Sequence, residues 1–208
     1  IQTLKISNIG MGPKGAATLC EMLRSAGEEG EKLIAAMSFL SVGGNPIGTD
    51  GAQALIDVLP QTQIKELGIG QDLVLHFEEE CSSLDASNQE LQVGEAMLLA
   101  YWLRSAGEEG GKLIGAMSFL DVSKSNFGSD GAEAIGQAVI SSQVQTIVIG
   151  PKSTKVDLSG VAKWELSGED LGPSEMVLIG SMLRSAGEVR PELIAAMSFL
   201  DISKSNLG

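Results

Sequence analysis

The sequence predicts an α/β repeat fold, an elongated array in which short strands alternate with helices and each unit packs on the next. The first observation is a 26-residue stretch, residues 103–128, that recurs at residues 23–48 and 183–208. Identical residues fill 18 of 26 positions between the first two copies and 19 of 26 between the last two, at steps of 80 residues. The second observation is that apolar residues change from alternate spacing to helical spacing within each period. Together these features indicate a repeat protein.

The clearest unit, residues 37–59, contains one strand, one turn and one helix. Leu40 and Val42 alternate with other residues, so their side chains point to one face of a short strand. The Asn45 side-chain amide can hydrogen-bond the backbone groups left free where the chain leaves the strand. Gly48 then lets the chain reverse. The apolar residues after this glycine fall on one face of a helix: Ala52, Leu55 and Leu59.

We call each strand, together with the segment that leads to the next strand, a rung. The strand pattern fits eight positions, separated by 36, 27, 17, 36, 27, 17 and 36 residues. Three unequal rungs therefore make up each 80-residue period. The first core residues of the eight strands are Leu4, Leu40, Leu67, Leu84, Leu120, Ile147, Trp164 and Leu200.

The length of a rung predicts the structure of the segment after its strand. The 27-residue rungs have room for an ordinary helix. In the 36-residue rungs we expect a helix, for example residues 173–183, and then an insertion such as residues 25–32. The 17-residue rungs, residues 67–83 and 147–163, are too short for a full helix, so we expect an extended loop in each.

Two motifs relate the chain to a known family. Residues 48–59 follow the pattern G-x-x-G-A-x-x-L-x-x-x-L, and the strand before them follows L-x-x-L-x-L-x-x-N-x-L. With these motifs the chain resembles the leucine-rich repeat proteins, and the first motif resembles their ribonuclease-inhibitor subtype. The resemblance covers essentially the whole chain and implies a curved solenoid, with a parallel β-sheet on the concave side and helices or loops on the convex side. The unequal rungs depart from that subtype and imply non-uniform curvature.

Composition argues against several functional classes. The 208-residue chain is 43% hydrophobic and 20% charged, which allows a long core and argues against disorder. Its net charge of −13 repels nucleic acid and anionic membranes, and it favours a protein partner with a basic or neutral surface. The longest apolar run is too short to cross a bilayer, so we expect no membrane insertion.

We expect a single domain of about eight rungs over residues 1–208. Neither end shows the polar cap that a repeat array needs, so we expect this domain to be a segment of a longer chain. Cys20 and Cys81 lie at different points of the repeat, so we expect two reduced, buried thiols. Unpaired cysteines favour a reducing compartment, and we therefore expect a cytoplasmic location.

The residue between the two core positions of each strand is expected to face away from the core, Val148 included. From the fourth strand onward most of these residues are acidic: Asp85, Asp121, Glu165 and Asp201. Carboxylates on neighbouring strands, ~4.8 Å apart, repel each other unless they are solvated, paired or bridged by a cation. This acidic stripe is either a docking surface for a basic partner or a solvated face.

One phenylalanine in each period precedes the first core residue: Phe39, Phe119 and Phe199. By alternation these rings also point outward, where exposed aromatic side chains commonly serve as binding anchors. The alternative is that the preceding segment, LIAAMSF in the first copy, is helical and tucks each ring beneath the insertion.

No set of catalytic or metal-binding residues recurs with the period. The insertion SAGEEG, at residues 25–30 and 105–110, has no recurring His or Asp beside its two glutamates, so a solvated loop is favoured over a carboxylate site. His76 is the only histidine, and its acidic surroundings are missing from the next period, which favours a polar loop over a metal site. We expect no catalytic residue, no metal and no cofactor. Trp164 occupies a core position and is expected to pack.

A repeat without a recurring catalytic set favours a non-catalytic protein–protein interaction module or structural scaffold. The first alternative is a GTPase-activating module, because the resemblance extends to the activators of the Ran GTPase, although no matching set of residues can be mapped. A further alternative is a subunit of a filament or lattice, formed by end-to-end self-association through uncapped ends.

Overall fold

A computed structural model describes residues 1–25, 36–108, 117–160 and 163–205, and its elements repeat with the period of the sequence. The helices are α1 Pro13–Ser25, α2 Gly48–Val58, α3 Val93–Glu108, α4 Gly128–Ser141, α5 Pro173–Val189 and α6 Pro191–Ala196, with a 3₁₀ turn at Leu59–Gln61. The strands are β1 Thr3–Lys5, β2 Phe39–Ser41, β3 Glu66–Ile69, β4 Leu73–His76, β5 Ser83–Asp85, β6 Phe119–Asp121, β7 Thr146–Ile149, β8 Thr154–Asp157, β9 Lys163–Glu165 and β10 Phe199–Asp201.

The strands of the described residues form three sheets. Strands β1 to β4 form the first sheet and β5 to β8 the second, each in chain order, while β9 pairs with β10. The first three strands of each four-stranded sheet are parallel. The predicted core residues stand side by side: Leu4 with Leu40 and Leu67, and Leu84 with Leu120 and Ile147.

The 17-residue rungs differ from the extended loops that their length predicts. Strand β3 folds back into β4 as an antiparallel hairpin, and β7 folds back into β8 in the same way. The hairpin pairs backbone groups that a loop would have left to water. It also gives each sheet a fourth row of core residues, because apolar side chains alternate along the returning strand. The buried residues of the returning strands include Leu73, Leu75 and Val156.

The helices pack in chain order, α1 on α2, α2 on α3, α3 on α4 and α4 on α5. Their buried residues share one continuous hydrophobic core with the central residues of the strands. A helix with one apolar stripe is stable only when that stripe is covered, and here the neighbouring helix and the strands cover it. Residues on these stripes include Leu19, Leu55, Leu99, Ile135 and Leu178.

In the third copy the helix continues through the insertion. α5 runs to Val189 instead of ending at residue 183, and α6 begins after Arg190. Buried Ala186 and Leu193 give this part of the chain its own core contacts. Most of the first two insertions, residues 26–35 and 109–116, lies outside the described residues.

Asn45 has the turn-forming role that the sequence predicts. Its buried side-chain amide donates to the carbonyls of Ile6 and Val42, both at 2.7 Å. Its Oδ1 accepts from the backbone N–H groups of Ile9 and Met11 at 3.1 and 3.0 Å. One side chain thus satisfies backbone groups of two successive rungs.

The matching position in the next period is Ser125. Its Oγ is buried and has no hydrogen-bond partner among the described residues. The backbone before it is alike in both copies, since Gly44 and Lys124 both have a left-handed φ, 68° and 58°. The two periods thus share a turn but differ in how its polar groups are satisfied.

Glu95 connects the first period to the second. Its side chain is 1% exposed, and Oε1 accepts from the backbone N–H groups of Gly44 and Gly70 at 2.6 and 3.2 Å. Oε2 accepts from the N–H of Gln92 at 2.8 Å, close to the start of α3. A buried carboxylate with three backbone donors is stabilised by charge-assisted hydrogen bonds, so Glu95 fixes two turns against this helix.

We expect the substitution Ser125→Asn to stabilise the chain by about 1 kcal/mol, because the larger amide can reach the backbone groups that Asn45 satisfies in the first period. The reciprocal change Asn45→Ser should lower the free energy of unfolding by about 2 kcal/mol, since it leaves buried backbone groups unpaired. Urea unfolding followed by circular dichroism measures both. A stability of Ser125→Asn at or below that of the wild type would show that the two turns are not equivalent.

Candidate protein-interaction face

We call the side of the sheets opposite the buried central residues the outer face. It consists of the first and third residues of the three-residue strands and of the residues in register with them. Along β2 and β6 the first and third residues are half-buried while the central residue is buried. Along β5 and β9 they are exposed. Outward and buried residues therefore alternate along these strands, as the sequence predicts.

The predicted acidic residues meet in pairs. Asp85 is in register with Asp121 on the neighbouring strand, and Glu165 is in register with Asp201. Asp85 and Glu165 are exposed, whereas Asp121 and Asp201 are half-buried. The ammonium of Lys163 contacts Glu165 and offsets part of the charge of the second pair.

The prediction that Val148 is displayed on the outer face is wrong, because its side chain is only 2% exposed. It lies on a central strand between Asp121 and Lys155, its register partners on either side. Neighbours on both sides leave such a residue less open than one at a sheet edge. The acidic residues therefore form two separate pairs in two sheets.

The aspartates also hold the turns at the ends of their strands. The backbone N–H of Ser87 donates to Asp85 at 2.9 Å, and the Ser123 and Ser203 N–H groups donate in the same way to Asp121 and Asp201. Hydrogen bonds from Ser87 hold the pKa of Asp85 below its ordinary value of 3.8. The sequence signal for this role is the pattern Asp-x-Ser at each strand end, which the alternation of apolar residues alone does not reveal.

The three phenylalanines each begin a strand and face outward. Phe39 and Phe119 are half-buried, and Phe199 is 45% exposed. The alternative of a helical segment holds in the third copy only as far as Ala196, where α6 ends. Phe199 itself lies in β10, in register with Lys163.

Two lysines lie over two of these rings. Lys5 Nζ is 5.5 Å from the centroid of the Phe39 ring, and Lys163 Nζ is 4.9 Å from the centroid of the Phe199 ring. A cation at this distance is attracted by the negative face of the ring. No sequence motif indicates these contacts, which join residues 34 and 36 positions apart.

His76 ends strand β4 and does not lie in the polar loop that the sequence predicts. Its Nδ1 is 3.8 Å from a carboxylate oxygen of Glu66, its register partner, and 3.7 Å from one of Glu79. Within the part of the chain that the structure describes, no three His, Cys, Asp or Glu residues are grouped closely enough to hold a metal ion.

The tryptophans are core residues that also hold the hairpins. Trp164 is 2% exposed, as predicted for a core position, and its indole N–H donates to the carbonyl of Asp157 at 2.8 Å. Trp102 is equally buried and donates to the carbonyl of His76 at 2.9 Å. Both accepting carbonyls belong to the last residue of a returning strand, β8 or β4, so each indole fixes one hairpin against the core.

Both cysteines are free thiols. Cys20 is buried on α1, and burial raises the pKa of its thiol. Cys81 is only partly buried and donates to the carbonyl of Ser83 at 3.2 Å.

A family model described as "Leucine Rich repeat" matches residues 37–55 and 117–136. These two segments are similar to leucine-rich repeats. Each contains one outward phenylalanine, the strand that it begins and the start of the next helix, so the matched units include part of the outer face. Leucine-rich repeats generally act as binding modules. A search of curated proteins finds no match to the chain. None of the described helices is both long enough and apolar enough to span a membrane.

We expect the substitution Ser87→Ala to raise the pKa of Asp85 toward 3.8, because the hydroxyl hydrogen bond that favours the ionised carboxyl is lost. Since the folded-state pKa is depressed, ionised Asp85 stabilises the fold above its unfolded-state pKa, and this contribution disappears as the pH falls through the folded-state pKa. Carboxyl ¹³C NMR titration measures the shift. The exposed residue Ser82, changed to Ala, is the control, and an unchanged pKa of Asp85 in Ser87→Ala would contradict the assignment.

Proposed function

We propose that this chain is a non-catalytic protein–protein interaction or scaffold module, a leucine-rich-repeat solenoid of the ribonuclease-inhibitor-like subtype with one domain over residues 1–208. The observation that supports this most strongly is the outer face, where each period places one aromatic and several charged side chains on strands anchored in the core. Rigid strands hold such residues in fixed positions, which lowers the entropy lost on binding.

The charge of the chain points to the chemistry of the partner. The chain has a net charge of −13 and carries paired carboxylates on its outer face. These charges attract a protein with a basic surface over a distance and then fix its orientation. The two free thiols suit a reducing compartment such as the cytoplasm.

We expect partner binding to depend on the outer face. The change Asp121→Lys should reduce recovery of a captured basic protein about tenfold, because it reverses a charge beside Phe119. The matched control is Glu21→Lys, an equal reversal at an exposed position of α1. Capture on immobilised full chain, quantified by mass spectrometry, compares both variants with the wild type.

Equal recovery with Asp121→Lys and Glu21→Lys would contradict an interaction through the outer face. Faster GTP hydrolysis by Ran in the presence of the chain would instead support the GTPase-activating alternative.

Self-association is a second candidate function. Among the described residues β10 pairs with β9 alone, and Phe199 and Leu200 on it are 45% and 36% exposed. An unpaired strand edge with exposed apolar side chains can pair with another chain. Sedimentation velocity over a concentration series should then show larger species for the wild type, and Leu200→Lys should remove them.

A further inference from the structure

In two of the three periods, the outward phenylalanine holds a cation supplied by the preceding strand. Lys5 of β1 lies over Phe39 of β2, and Lys163 of β9 lies over Phe199 of β10. The two lysines come from different positions of their strands, the third residue of β1 and the first residue of β9. A lysine therefore lies over the ring in both periods, although it comes from a different position of the strand in each.

The middle period lacks this internal cation. Strand β5 precedes Phe119, and its residues at the positions of Lys163 and Lys5 are Ser83 and Asp85. In the part of the chain that the structure describes, neither a lysine nor an arginine lies over the Phe119 ring. The half-buried ring thus keeps an outer surface that the chain itself does not cover with a cation.

The groups beside the Phe119 ring favour positive charge. Asp121 is two residues further along the same strand and so faces the same side, and Asp85 is its register partner. The positive charge of Lys124 contributes only weakly to lowering the pKa of Asp85, after the hydrogen bonds from Ser87. A ring face with two carboxylates beside it presents the complement of a cationic side chain.

We propose that Phe119, Asp85 and Asp121 bind the guanidinium group of an arginine that belongs to a partner protein. Arginine suits the site better than lysine, because a planar guanidinium can stack on the ring while its N–H groups donate to the two carboxylates next to it. The partner's arginine takes the place that lysines of this chain occupy in the other two periods. This inference depends on the proposed function, since it names the chemistry that the protein-binding face recognises.

The test uses the full chain labelled with ¹⁵N and the acetylated, amidated peptide Gly-Ser-Arg-Ser-Gly, with lysine and glutamate versions for comparison. At low ionic strength the arginine peptide should shift the amide signals of β5 and β6 in a saturable way. The lysine peptide should bind more weakly and the glutamate peptide not at all. Phe119→Leu, which keeps the apolar contact but removes the ring, should weaken arginine-peptide binding about tenfold.

Two variants exchange the arrangements of the second and third periods. Ser83→Lys places a lysine next to Phe119, at the position that Lys163 has next to Phe199. This lysine should occupy the site and weaken peptide binding about tenfold. Ser83→Gln is the matched control and should bind as the wild type does. Lys163→Ser should uncover Phe199 next to the Glu165–Asp201 pair and create a second binding site, seen as new shifts in β9 and β10. Thermal unfolding of each variant confirms that it is folded.

The proposal is overturned if the arginine peptide causes no saturable shifts in β5 and β6, or if Ser83→Lys binds it as tightly as Ser83→Gln. If Phe119→Leu binds the arginine peptide as tightly as the wild type does, the ring is not part of the site. If the lysine peptide binds as tightly as the arginine peptide, the site does not select arginine. If the peptide fails while capture of a basic protein still depends on Asp121, this inference falls and the proposed function stands. If both fail, the outer face is not a binding surface.

Discussion

Every unit of this chain depends on the burial of the central side chain of its strand beneath the helices and beside the next strand. Leu40, Leu67 and Leu120 are fully buried in this way, and burying one leucine stabilises a fold by about 2 kcal/mol. Leu4 and Leu200, on the first and last of the described strands, are only partly covered. The stability of each rung is therefore coupled to its neighbours, as in other repeat arrays.

Because the core fixes the central residue, the two residues beside it are free to vary. The position of Lys5 holds aspartate in the second period and glutamate in the third, with little change in the strand pairing. The outward phenylalanine is present in all three copies, while the charges around it differ. Nearly identical backbones thus display three different surfaces, and selective recognition of a partner can arise from these differences.

The turns show that one backbone path can be stabilised by different polar groups. Asn45 joins two rungs with four hydrogen bonds, whereas Ser125 at the same position of the next period has a buried hydroxyl with no partner among the described residues. The Glu95 carboxylate connects two glycine N–H groups of the first period to α3. These polar contacts differ between copies, because once neighbouring rungs are packed the backbone path no longer depends on a single side chain.

The sequence by itself determined the repeat, the parallel strands and the core row, because alternation and helical spacing act within one unit and need no information from distant residues. It also predicted that Asn45 holds the turn next to it, whereas three of the four hydrogen bonds of Asn45 reach the preceding rung. Only the tertiary structure decided that the short rungs return as hairpins, that Val148 is buried, and that lysines lie over two of the three rings. Each of these outcomes depends on residues of a different strand, which the pattern within one unit does not encode.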